Sequence, residues 1–410
     1  MKLRQAPYWL DRVPQRRRPS FPRLRAHLDT QVVIVGGGLT GAACALSLAA
    51  ARVPVVLLEG DRIGGGATAA ALGLIREDFD GSFAETARTH GLRAARSLWQ
   101  AMRRASLELP AALRRLNARV ELASSPLLDV AGDGRTPGPV LKREYETRRA
   151  AGLEHRWITA LNLRRDTRVE GSGAIKTSGA VLDPYRTCLA LIAAAHARNA
   201  GIFEHSEVLR IRTRSKSVEV VTAAGTVSAA TVVVAGSGSI PDLRQLRRHL
   251  RPRHGYGVVT APLPGPVRKE VGARSTVLRF GAGAPKFVRW LAGDRVLVEG
   301  ADQAPVPVRR REQAVIQRSG QLMYELSLAF PAVSGTPAES GWWFPFDDTV
   351  DGLPYIGTHR NFPRHLFALG LGRHGVSASW LAARLILRHI NEEPAKGDDL
   401  FGFSRILQAH

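Results

Sequence analysis

The run Val32-Val33-Ile34-Val35-Gly36-Gly37-Gly38-Leu39-Thr40-Gly41 constrains this chain more than any other stretch. Its apolar residues predict a buried strand over Gln31–Val35, and the glycines predict a tight turn into a helix over about 39–51. A second strand over 53–59 ends in Glu59, eighteen residues past Gly41. Strand, helix and strand in that order imply parallel pairing within a doubly wound α/β sheet. The glycines stand in the G-x-G-x-x-G register of a dinucleotide-binding unit. Gly36 would allow the turn, Gly38 the approach of backbone to a pyrophosphate, and Gly41 the packing of helix on strand. The first helical turn, with Leu39 and Thr40, offers free N–H groups and the positive end of the helix dipole to phosphates. Glu59 would accept hydrogen bonds from ribose hydroxyls, and its charge disfavours a 2′-phosphate and so NADP.

The choice between FAD and NAD turns on two further segments. The loop Gly60-Asp61-Arg62-Ile63-Gly64-Gly65-Gly66-Ala67-Thr68 starts directly after the ribose position and runs on to Leu72. An FAD protein threads such a small-residue loop past the pyrophosphate and flavin. Arg62 reads as a residue packed on ribose or adenine. Near the other end, Gly370-Leu371-Gly372-Arg373-His374-Gly375-Val376 feeds a helix over 377–390. A glycine turn at a helix N-terminus suits negative charge on the edge of a reduced flavin. His374 is expected to contact the flavin, with a proton-shuttle role as the other reading.

These stretches resemble the D-amino-acid oxidase, glycine oxidase and sarcosine oxidase-like flavoproteins (the DAO family). The resemblance rests on Gly36–Gly41 with Glu59, on Gly66-Ala67-Thr68, on Asp351-Gly352-Leu353-Pro354-Tyr355-Ile356-Gly357, and on Gly372-Arg373-His374-Gly375. Leu182-Asp183-Pro184 is a weaker echo. The resemblance implies a backbone contact to adenine at Val208 and a second close approach to the cofactor at Ala235 and Gly236. It also implies a Rossmann-like FAD domain joined to an α+β substrate domain with an antiparallel sheet. On that basis residues 29–90, 175–242 and 347–393 form a discontinuous FAD domain, and 91–174 with 243–346 the substrate domain. Residues 1–28 are an N-terminal Pro/Arg-rich arm and 394–410 a tail.

The family's covalent flavin tethers use His or Cys. Ala67–Leu74 holds neither, and Cys188 falls in a helix expected away from the flavin, so the FAD is expected to be non-covalent. Amino-acid-oxidising relatives place an arginine before the Asp-Gly-x-Pro stretch; this chain has Trp342-Trp343-Phe344-Pro345-Phe346 instead. Arg289 is the expected substitute carboxylate anchor. Tyr256 is expected to face the flavin, and the aromatic cluster reads either as core or as a wall caging an amine. Asp347, Asp348 and Asp351 read as turn residues, with no metal site expected. The resulting expectation is oxidation of an amine or amino acid to an imine, with oxygen or another acceptor taking the electrons.

The 410 residues suit two joined domains, and 44% apolar with 23% charged is ordinary for a globular chain. No apolar run reaches the roughly 20 residues of a membrane helix, and prolines interrupt the N-terminus where a secretory signal would be apolar. Two distant cysteines fit a reducing, cytoplasmic setting. The net charge of +22 reads either as a solvated arginine-rich surface or as a docking surface for RNA or an anionic membrane. No aromatic residues interleave the basic clusters, so specific nucleic-acid binding is not expected, while weak association with an anionic surface stays open.

Overall fold

The computed structural model describes residues 3–132, 137–236, 241–272, 274–281, 285–373 and 375–405. Two eight-stranded sheets organise it. In the first, His27–Val35 lies between Thr226–Ala235 and Val55–Leu58, parallel to both. Gly201–Phe203 extends the sheet on one side, and the hairpin Val208–Thr213 and Val218–Thr222 on the other. Phe362–Leu369 continues beside the C-terminal half of Thr226–Ala235, again in parallel. Thr226–Ala235 is one strand, paired with Val218–Thr222 along its first half and with Phe362–Leu369 along its second.

The apolar run explains this placement. Val32, Val33 and Ile34 are wholly buried because both faces of the sheet are covered, as parallel sheets require. Val32 and Ile34 face helices Leu39–Ala50, Pro184–His196 and Val376–Ile390. Val33 faces a second cluster with Leu24, Phe367 and Phe403. Alanine lets Leu39–Ala50 sit tightly between its two helical neighbours.

The second sheet runs in the order Ala338–Thr349, Leu250–Thr260, Arg295–Gln303, Lys286–Leu291, Val277–Phe280, Leu127–Ala131, Gly173–Thr177, Arg156–Thr159. Its pairs are antiparallel except Val277–Phe280 with Leu127–Ala131. Helix Arg311–Ala329 covers one face, burying Val315, Leu322 and Leu326. The other face, with Leu297, Trp342 and Phe344, turns toward the first sheet's loops.

Two elements fall elsewhere than the sequence division places them. Helix Leu92–Arg115 buries Ala95, Leu98, Trp99 and Met102 in the core of the parallel sheet, and strand Gly173–Thr177 belongs to the antiparallel one. Apolar spacing reveals that a face is buried, not which sheet buries it. The leader also does more than lie across the surface. Trp9, in the one-turn helix Tyr8–Asp11, is wholly buried and donates from Nε1 to the Ala71 carbonyl at 2.8 Å.

Candidate cofactor and substrate site

A cleft of about 500 Å³ opens at the C-terminal ends of the parallel strands, where open α/β sheets bind their ligands. Gly36 stands at φ +109°, and a Cβ there would lie 2.2 Å from the Ala235 carbonyl oxygen, so no side chain fits between the two strand ends. The Gly36 N–H donates to the Leu58 carbonyl at 2.9 Å. Glu59 Oε2 accepts the Gly37 N–H at 2.6 Å, and its Oε1 accepts that of Asp61 at 2.9 Å. The acid therefore shapes the glycine turn and the next loop while remaining in the cleft wall. At the helix entrance, Thr68 Oγ1 accepts the Leu39 N–H at 2.9 Å, and Thr40 bonds Ser379 of the C-terminal helix, hydroxyl to hydroxyl, at 2.9 Å.

Gly36, Gly38, Leu39, Thr40, Glu59, Gly60, Gly66, Ala67 and Thr68 all line this cleft, with Val208, Ala235 and Gly236. Gly370, Gly372, Arg373, Gly375 and Val376 line it as well. Segments more than 300 residues apart thus converge on one elongated space. Size, a ribose-side acid, a glycine turn at a helix N-terminus and a second glycine turn together fit a dinucleotide cofactor. Three expected contacts stand back from the wall. Gly41 lies beneath the turn, where a Cβ would meet the Gly36 oxygen at 1.9 Å. Leu72 is core, and Arg62 is half-buried beside Tyr185. His374 lies outside the described residues.

Residues 31–388 match the family described as FAD dependent oxidoreductase, DAO. The chain belongs to this family. Glycine oxidase of Geobacillus kaustophilus is 28% identical over 382 residues, covering 91% of this chain and 96% of that protein. Probable oxidoreductase OrdL of Haemophilus influenzae is 26% identical over 393 residues, covering 92% and 86%. The crystal structure of glycine oxidase from Geobacillus kaustophilus superposes with a TM-score of 0.74 at 23% identity, over 92% of this chain and 99% of that one. The chain is accordingly an FAD-dependent oxidoreductase with the DAO fold.

Within that fold the expected catalytic side chains are placed otherwise. Tyr256 is buried on the helix-covered face of the antiparallel sheet, its hydroxyl bonded to Gln303 Nε2 at 2.5 Å, and does not reach the cleft. Strand alternation explains this: Gly255 and Gly257 face Phe344 and Trp342 on the cleft side, which turns Tyr256 outward with Trp343. Arg289 is also unavailable as a carboxylate anchor. Its guanidinium is buried, donates to the carbonyls of Leu72 and, at 2.9 Å, of Leu182, and lies 5.0 Å over the Trp9 ring. Burial pushes its pKa down to about 10. The arginine fastens the cofactor loop to the sheet.

The aromatic cluster divides by face. Trp342 is core, donating from Nε1 to the Ala70 carbonyl at 2.9 Å, while Trp343 stacks outside with His254 and Arg311. Phe344 and Phe346 do line the cleft, yet Arg373 already lies over both rings, at 5.7 and 5.2 Å. Arg373 is buried, ion-paired with Asp302, and its Nη1 is 3.9 Å from Glu299 Oε2. Burial pushes the Glu299 carboxyl up to about 8, against the pull of Arg373 and Arg289.

Asp347 and Asp348 are not turn residues but belong to the edge strand Ala338–Thr349. Asp347 lines the cleft. Burial, then Asp348, raises its carboxyl to about 6, and among the described residues no cation offsets that rise. Asp348 is raised to about 6 by burial and Asp80, against Arg253 and Arg251. Hydrophobic alternation hid Asp347, because an acid after an aromatic run also reads as the start of a turn.

Cys188 lies under the glycine turn, its Sγ 3.5 Å from the Gly37 carbonyl oxygen, but does not line the cleft. Burial raises its thiol, which keeps it protonated and inert. A buried ionic network backs the site. Arg76 binds Asp78 at 2.5 Å and Asp80 at 2.6 Å, and Arg279 binds Asp78 at 3.0 Å and Asp129. Burial acts to raise the Asp78 carboxyl, but the two arginines outweigh it and hold it well below the usual range. Asp80 packs against Gly372, so the network links the C-terminal turn to the antiparallel sheet.

Proposed function

We propose that the chain oxidises a C–N bond of a small amine or amino acid to an imine, which water then hydrolyses. The observation that carries this reading is Asp347. It is a cleft acid whose rise no cation among the described residues offsets, whereas Arg373 is already held by Asp302. The wall therefore offers a counter-charge to a substrate ammonium in preference to a carboxylate. Above about pH 6 the Asp347 carboxylate would hold the amine and accept its proton as the substrate carbon gives up a hydride. The bound FAD supplies the hydride acceptor. Glu59 and Val208 would hold the adenosine part, Gly36 to Thr40 the pyrophosphate, and the turn from Gly370 to Gly375 the flavin's polar edge.

Glycine oxidase among the relatives supports an amino compound as substrate. Oxygen or another acceptor would take the electrons. The absence of any His or Cys in the cofactor loop supports non-covalent FAD, and buried Cys44 and Cys188 support a cytoplasmic setting. Among the described residues no helix is long and apolar enough to cross a membrane. The domain division carries over with helix Leu92–Arg115 assigned to the FAD part and strand Gly173–Thr177 to the substrate part.

Anaerobic mixing of the FAD-loaded protein with a panel of amines and amino acids tests the reaction. Bleaching of the flavin band by at least one member is expected. A flavin that dithionite reduces but no member of a broad panel reduces would sink the assignment.

A further inference from the structure

The outer face of the antiparallel sheet, turned from the cleft, is covered by helices Ala160–Thr167, Gly265–Glu270 and Arg311–Ala329. Large apolar side chains stand exposed on the longest of them. Ile316, Tyr324 and Leu328 are exposed by 57 to 64%. At four- and eight-residue spacing they fall on one side of Arg311–Ala329, with Gly320 between them. The stripe is about 18 Å long at 1.5 Å per residue. Val308, just before this helix, and Leu161, on Ala160–Thr167, are 73% and 77% exposed. Four of the ten large apolar side chains exposed among the described residues thus lie on or just before Arg311–Ala329, with Leu161 in the same layer but over the far edge of the sheet.

Cations border the stripe. Arg309 and Arg310 precede the helix, exposed and making no ion pair among the described residues, and Lys269 stands likewise near its far end. The helix's main apolar side, with Val315, Leu322 and Leu326, is spent on the sheet, so Ile316, Tyr324 and Leu328 form a second, outward apolar strip between cations, as an interfacial contact needs.

From this we infer that the Arg311–Ala329 face docks the protein on the surface of an anionic lipid bilayer. The chain's charge of +22 complements such a surface and opposes a second copy of itself. Four apolar side chains also fall far short of the roughly 20–30 residues a side of a standard protein interface. An RNA would find the cations but has no use for the aliphatic stripe. Docking on this face leaves the cofactor cleft, on the opposite side of the sheet, open to a soluble substrate.

The test is co-sedimentation of the FAD-loaded full chain with vesicles of phosphatidylcholine alone and of phosphatidylcholine mixed equally with phosphatidylglycerol. Binding to the anionic vesicles only is expected. The triple variant I316E/Y324E/L328E should lose it, and Arg309→Ala/Arg310→Ala should partition roughly thirtyfold less. Both variants should keep the flavin spectrum and amine-driven bleaching, since none of these residues touches the cleft. Three results would overturn the inference. They are equal binding by both variants and the parent, no binding to anionic vesicles, and a dimer on a sizing column that the triple variant dissolves.

Discussion

Glu59 Oε2 accepts the backbone N–H of Gly37 at 2.6 Å, so the acid expected at the ribose also sets the conformation of the pyrophosphate turn. Replacing it therefore removes two kinds of support at once. Glu59→Ala is expected to weaken FAD binding roughly ten- to hundredfold, corresponding to one or two hydrogen bonds to a charged group. Titration of the apoprotein with FAD, followed by flavin fluorescence, checks it. Unchanged affinity would show that the carboxylate neither meets the ribose nor holds the turn in its binding shape.

Asp347 gives the proposed reaction a pH signature. Its carboxyl is raised to about 6, so it is an anion above that pH and neutral below. The KM for an amine substrate is expected to climb and kcat to fall as pH drops through about 6, since the same carboxylate holds the amine and takes its proton. Asp347→Asn should raise KM about tenfold or more at neutral pH and abolish that limb of the profile. A wild-type profile flat through pH 6 would remove Asp347 from the substrate site.

Trp9 anchors the leader against the cofactor loop and offers its ring to Arg289. Trp9→Ala is expected to cost about 3–5 kcal/mol of stability, the range for emptying a large buried aromatic site. Denaturant unfolding of the FAD-free protein measures that loss. Removal of residues 1–12 should cost at least as much, which a disposable arm would not.

Tyr256→Phe separates sequence expectation from observed placement. The hydroxyl meets Gln303 on the helix-covered face. Loss of about 1 kcal/mol in stability with turnover within about twofold of the parent is expected. A large fall in kcat at unchanged flavin content would place the ring at the reacting atoms after all.

Much of the parallel sheet and the cofactor cleft is legible in the sequence because backbone needs wrote it there. A glycine at φ +109° against Ala235, a helix N-terminus and an acid at a strand end each leave local marks. The substrate side is less legible. Whether Tyr256 or Phe344 faces the cleft depends on strand register, and a shift of one residue reverses every side chain. Arg289 reads as free because its partners are main-chain carbonyls of Leu72 and Leu182, which have no letter of their own. Arg373 is legible as a cofactor residue, but its ion pair with Asp302, 71 positions upstream, is not.

Trp9 sits in one buried cluster with Tyr185, Phe287 and Trp342, against the Ala71 carbonyl and the Arg289 guanidinium. A ribosome therefore releases the leader long before its destination exists. Trp9 and its neighbours must wait, unplaced, until Trp342 has been made more than 300 residues later. Their docking is then a late event of maturation, and a bulky fusion at the amino end would burden the closing step of folding while sparing the earlier ones.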